Sequence, residues 1–154
     1  MNIVVKKEVQ EIIDIIEKNG YSVYLVGGAV RNQLLGIPVK DWDLTTNAKP
    51  DTIQRIFEKN NIATIPTGIE HGTITVCYEG LNIEVTTYRI DGNYSDGRRP
   101  DSVEFVDNLK EDLARRDFTI NALAYNRRTG IIDYFGGLED LENKEIRCVG
   151  SPKK

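Results

Sequence analysis

Residues 21–45 read YSVYLVGGAVRNQLLGIPVKDWDLT, an order of strand, glycine turn, helix and strand. Tyr, Val and Leu fill 21–26 except at Ser22, a β-rich apolar run that enters Gly27-Gly28 directly. A short helix is predicted over 29–35, stopped by Gly36 with Pro38 just beyond it, and a second strand over 39–45. Asp41-Trp42-Asp43 lies in that second strand, whose side chains alternate with period two. Both carboxylates then share one face, while Trp42 and Leu44 turn to the core.

On the N-terminal side, Val5, Val9, Ile12, Ile13 and Ile16 recur at three- and four-residue steps among Lys, Glu, Gln and Asp. They predict an amphipathic helix ended by Asn19-Gly20. On the C-terminal side, Pro50 suits the first turn of another helix with Ile53, Ile56 and Phe57 facing inward. Residues 73–78 and 81–88 alternate around Glu79-Gly80 and predict a β-hairpin. Residues 91–102 lose all apolar period and predict a long loop. Residues 108–124 predict a mostly helical segment interrupted near Asp117, and 125–134 a second hairpin around Arg128-Thr-Gly130. A short helix over 138–141 and a strand over 146–149 follow Gly136-Gly137. The expected class is α+β: a single mixed, largely antiparallel sheet flanked by helices.

The chain has 154 residues, a formal net charge of -4 and a pI near 5.1. That is the size of one ordinary domain, and the acidic balance excludes a histone-like binder that holds nucleic acid by bulk charge. Cys77 and Cys148 are too few for a thiolate zinc site or a disulfide framework. No apolar run reaches membrane length or forms the core of a signal peptide, so the expected compartment is the cytoplasm.

A bare Asp-x-Asp is most often a solvated strand end. Here two like charges about 7 Å apart on one pleated face call for a cation between them, and a hard divalent ion with oxygen ligands meets that need. Glu84 projects from the polar face of 81–88, opposite Leu81, Ile83 and Val85. If the two strands are neighbours, Asp41, Asp43 and Glu84 converge as a phosphoryl or nucleotidyl transfer site would require. Gly27 and Gly28 open a helix where backbone N–H groups can approach phosphate oxygens, with Arg31 on its first turn; the alternative is a tight turn needing positive φ. Arginines come in pairs, 98–99, 115–116 and 127–128. Arg116, Asp117 and Asn121 form the richest segment, since Asp117 and Asn121 share a face of a continuous helix and together suit a ribose. The other reading of Asp117 is a helix N-cap.

Taken in order, Leu25-Val-Gly-Gly-Ala-Val-Arg31, Lys40-Asp-Trp-Asp-Leu-Thr45, Glu84-Val-Thr-Thr-Tyr-Arg89, Asp96-Gly-Arg-Arg-Pro100, Arg115-Arg-Asp-Phe-Thr-Ile-Asn-Ala122 and Asp133-Tyr-Phe-Gly-Gly-Leu-Glu-Asp140 strongly resemble the bacterial class II CCA-adding tRNA nucleotidyltransferases and the related bacterial poly(A) polymerases of the polymerase beta superfamily. The resemblance implies template-independent transfer of CMP and AMP from CTP and ATP to the 3′ end of tRNA, with Mg²⁺ as cofactor. It implies that Asp41 and Asp43 are the metal-binding catalytic carboxylates and Glu84 the third member. Gly27, Gly28 and Arg31 would contact the triphosphate, and Arg116, Asp117 and Asn121 the ribose. Asp96, Arg98 and Arg99 would belong to the family's flexible loop, which is implicated in the switch from C to A addition. The implied division is a catalytic head over 1–137 and the start of a neck connector over 138–154. Two departures stand out: Asn32 where the family usually has Asp, and a chain that stops before the family's Glu-Asp-x-x-Arg motif, as a head cut from a longer enzyme would. A poly(A)-adding or single-nucleotide-adding relative, or a non-catalytic nucleotide- or RNA-binding module, is the alternative.

Overall fold

The computed structural model describes residues 3–91 and 103–149. Its elements run α1 (Lys7–Lys18), β1 (Val23–Val26), α2 (Gly28–Leu34), β2 (Trp42–Thr46), α3 (Pro50–Lys59), β3 (Ala63–Gly68), β4 (Thr73–Tyr78), β5 (Leu81–Thr87), β6 (Arg89–Asp91), β7 (Val103–Phe105), α4 (Leu109–Ala114), β8 (Leu123–Asn126), β9 (Gly130–Asp133) and α5 (Gly137–Glu142). Short 3₁₀ turns occupy Ile69–His71 and Thr119–Asn121.

Seven strands form one sheet in the order β3-β4-β5-β2-β1-β8-β9, and β6 pairs with β7 in a separate two-stranded ribbon. Only β2 and β5 run parallel; every other strand pair among the described residues is antiparallel. The class is α+β with a mixed sheet, as the sequence pattern predicts.

Alternation along the central strands sorts side chains onto two faces. Val23 and Leu25 of β1, Leu44 of β2, and Ile83 and Val85 of β5 are buried against Val9, Ile12 and Ile16 of α1 and Ile53 and Phe57 of α3. Burying such side chains contributes roughly 1.5–3 kcal/mol each, which is why the strongly periodic helices at either end of this layer form where the sequence predicts. On the opposite face Val26, Ala122 and Ala124 meet Tyr88 and the α4 residues Leu109 and Leu113 in a smaller cluster. Asp43 and Thr45 alternate with Leu44 and so belong to this second face.

Three expectations need correction, and one strand is new. The second strand begins at Trp42, so Asp41 precedes it. The helical segment over 108–124 is three elements: α4 ends at Ala114, a 3₁₀ turn follows, and 123–126 is strand β8 between β1 and β9. A short apolar run is ambiguous between helix and strand; here Leu25↔Tyr125 and Val26↔Ala124 pairing decides for strand. Residues 146–149 contribute only the isolated bridge Phe118↔Cys148 instead of a strand. Strand β3, unmarked in the sequence pattern, is an edge strand carrying Pro66 at an irregular register between Ile65 and Gly68, a position where a missing N–H is tolerated.

Candidate active site

The site is built at the end of β1, where the chain leaves the sheet at Gly27. Gly27 has φ +69°, open to glycine at little steric cost, and α2 starts at the next residue. The absent side chains matter as much as the turn. A Cβ on Gly27 would lie 3.8 Å from Arg116 Nη1, and one on Gly28 would lie 3.3 Å from Arg31 Nη2. Two guanidinium groups therefore reach close to bare backbone.

Beside this turn, β2 and β5 run parallel with Asp43 in register with Glu84. The condition posed by the sequence, that the two carboxylate strands be neighbours, is met. Asp43 is half-buried, and its carboxyl is raised from the usual 3.8 to about 6 by burial first, then by the like charges of Glu84 and Asp41, with Arg116 acting in the opposite direction. Asp41 and Glu84 are exposed. Because Asp41 precedes the strand, the pleat does not fix its direction. Among the described residues no group of three or more His, Cys, Asp or Glu side chains stands ready as a closed metal cluster. Oxygen donors only, on a face where Asp43 feels two like charges, nevertheless fit a hard divalent cation.

An open cleft of about 390 Å³ is lined by Gly27, Gly28, Arg31, Asp43, Arg115, Arg116, Asp117 and Asn121. Arg31 Nη1 donates to Asn121 Oδ1 at 2.5 Å, and its Nε donates to Asn32 Oδ1 at 3.1 Å. Asn121 Nδ2 donates to Asp117 Oδ1 at 3.4 Å. Asp117 and Asn121 thus meet as the sequence spacing suggests, but through a 3₁₀ turn rather than a continuous helix. Asp117 is not the N-cap of the turn that follows it: Phe118 takes that position with no side-chain cap, and Asp117 Oδ1 accepts from the Phe118 N–H at 2.8 Å. Arg116 is held below the usual guanidinium range by burial and then by Arg115, while Asp112 and Asp43 oppose that shift.

The cleft therefore gathers Gly27, Gly28, Arg31, Asp43, Arg116, Asp117 and Asn121, with Glu84 beside Asp43. Asp96, Arg98 and Arg99 lie outside the described residues. Two residues went unassigned by sequence reasoning. Arg115 lines the cleft together with its neighbour Arg116. Asp112 is fully buried behind both arginines; its signal was the i,i+3 and i,i+4 spacing to them, easily mistaken for helix-surface charge pairing.

The chain belongs to the Poly A polymerase head domain family, whose model matches residues 23–147. Within it, the chain is 49% identical over 148 residues to the CCA-adding enzyme of Ligilactobacillus salivarius (strain UCC118), covering 96% of this chain and 36% of that protein. The crystal structure of the Bacillus stearothermophilus CCA-adding enzyme in complex with CTP superposes with a TM-score of 0.83 at 44% identity, over 95% of this chain and 34% of that one. A tRNA nucleotidyltransferase complexed with a primer tRNA and an incoming ATP analog superposes with a TM-score of 0.67 at 33% identity, over 90% of this chain and 39% of that one. The chain spans about a third of the length of these relatives.

Proposed function

We propose that the chain is the catalytic head of a CCA-adding tRNA nucleotidyltransferase, transferring CMP and AMP from CTP and ATP to a tRNA 3′ end. The observation that carries this reading is the register pairing of Asp43 with Glu84 on the sheet face that opens into the arginine-lined cleft. The named CCA-adding relatives, one with CTP bound, support it. In this reading 1–137 is the head and 138–154 begins a connector to the parts that capture tRNA. The working compartment is the cytoplasm; among the described residues no helix is long and apolar enough to cross a membrane.

Asp41 and Asp43, with Glu84 as third carboxylate, would hold Mg²⁺, which when bound neutralises triphosphate charge and lowers the pKa of the attacking hydroxyl. The chain's own side chains do the rest by positioning. Arg31 and the backbone at Gly27 and Gly28 receive the phosphates. Arg116, Asp117 and Asn121 orient the ribose, Arg116 adding positive charge where the α-phosphate reacts. The RNA 3′-hydroxyl forms the new phosphodiester bond and pyrophosphate leaves.

Calorimetric titration of CTP into this chain tests the site. Binding that requires Mg²⁺, and loses that requirement in Asp43→Asn, is expected; equal binding with and without Mg²⁺ favours a non-catalytic nucleotide-binding module. The family description leaves a second enzyme reading, poly(A) addition. Supplying CTP and ATP separately to a trimmed tRNA, with this head on the remainder of a full-length relative, separates the two.

A further inference from the structure

We infer that Asp112 is a positioning residue for the nucleotide cleft: it holds Arg115 and Arg116 facing the triphosphate and ties them to the strand that carries Asp43. This rests on the reading of the cleft as a triphosphate site.

A fully buried carboxylate carries a desolvation penalty of several kcal/mol and is retained only when paired and hydrogen-bonded. Asp112 has 0% exposure and partners on three sides. Oδ2 accepts from Thr45 Oγ1 at 3.1 Å, Oδ1 accepts from the Arg89 backbone N–H at 3.0 Å, and the two oxygens lie 3.7 Å from Arg115 Nε and 3.6 Å from Arg116 Nη2. Thr45 stands two residues along β2 from Asp43, on the same face. One side chain therefore connects the carboxylate strand to both arginines.

The arginines need such an anchor. Their side chains retain only 20% and 19% of their exposure, and two adjacent guanidinium charges so far out of water repel each other. Neutralising part of that repulsion from behind leaves Arg116 on the cleft wall instead of turned onto Asp43. The contacts to Asp112 are too long to be good hydrogen bonds. Arg115 Nε and Arg116 Nε are buried without a hydrogen-bond partner among the described residues. Arg116 Nη1, by contrast, points to the glycine turn of the cleft, 3.8 Å from where a Gly27 Cβ would lie, where a guanidinium suits an incoming oxyanion.

Asp112→Asn removes the charge while keeping the shape. The amide oxygen can still accept from Arg89 N–H, and the amide nitrogen can donate to Thr45 Oγ1, which has Thr86 O at 3.2 Å as its own acceptor. The test is a double-mutant cycle on the Kd for CTP with Mg²⁺, measured by calorimetry on this chain. Asp112→Asn is expected to weaken CTP about tenfold, and to have a smaller effect, through Arg115 alone, in an Arg116→Met background that is itself weakened. If Asp112→Asn leaves Kd unchanged, or if its effect persists undiminished beside Arg116→Met, the positioning role is overturned. If Arg116→Met alone leaves Kd unchanged, the triphosphate reading of the cleft fails and the inference with it. Should Asp112→Asn not fold, Thr45→Val, which removes one anchor of the carboxylate, is expected to weaken CTP about two- to threefold; an unchanged Kd would overturn the role.

Discussion

Asp43→Asn should make the metal-free chain more stable, not less, at neutral and alkaline pH. Asp43 holds its proton to about pH 6 in the folded state, against 3.8 ordinarily. Between those values the folded chain binds a proton that the unfolded chain has released, so stability falls as pH rises through this window and remains lower above it. A shift of that size is worth about 3 kcal/mol, already including the opposing effect of Arg116. The substituted amide keeps the shape and never ionises, so the variant's unfolding free energy escapes this loss. Urea unfolding of both proteins in EDTA, at intervals from pH 4 to 8, isolates the effect because every other carboxylate is common to both. The variant should match wild type near pH 4 and exceed it by about 2–3 kcal/mol at pH 8. Adding Mg²⁺ should narrow the gap by stabilising only the wild-type carboxylates. A variant less stable than wild type at pH 8, or a difference that does not change with pH, would mean that Asp43 is not a strained charge.

Gly137→Ala should destabilise the fold by about 3 kcal/mol or more, because its Cβ would sit 2.3 Å from the Thr119 carbonyl oxygen; urea midpoints measure this, and a loss under about 1 kcal/mol would contradict the packing. Tyr88→Phe removes the 2.8 Å hydrogen bond between the buried phenol and Ser22 Oγ and should cost about 1 kcal/mol in the same assay. Gly27→Ala forces φ +69° and ψ −134°, outside the left-handed helical region, on a residue with a Cβ, with an expected loss of about 1–3 kcal/mol together with weaker CTP binding; unchanged affinity would remove the glycine turn from the phosphate site.

What could be read from sequence follows how local the deciding forces are. The β4–β5 hairpin is legible because Glu79 and Gly80, with φ +50° and +80°, are what a two-residue turn demands. Its alternation also places Glu84 opposite the apolar Ile83 and Val85. The neighbourhood of Asp43 and Glu84 could only be posed as a condition, since they lie far apart along the chain and a parallel pairing leaves no local turn signal. The β8–β9 hairpin is legible from 125–134, but the start of β8 at Leu123 is not, because Ala122-Leu-Ala-Tyr125 suits a helix in isolation; pairing with β1 and β9 overrides that preference. Asp112 was hidden for a related reason. Beside Glu111 and ahead of two arginines it reads as surface charge, and only the approach of β2 and β6 shows that it is buried.

The most direct test joins this head to the C-terminal remainder of the 49%-identical Ligilactobacillus relative and follows labelled CMP and AMP incorporation into tRNA lacking its 3′ CCA. The wild-type chimera should incorporate both nucleotides. Asp43→Asn should lower incorporation by about a thousandfold, equivalent to roughly 4 kcal/mol of transition-state stabilisation, while leaving the protein folded. Incorporation undiminished in Asp43→Asn would contradict the assignment of this carboxylate face as the catalytic centre.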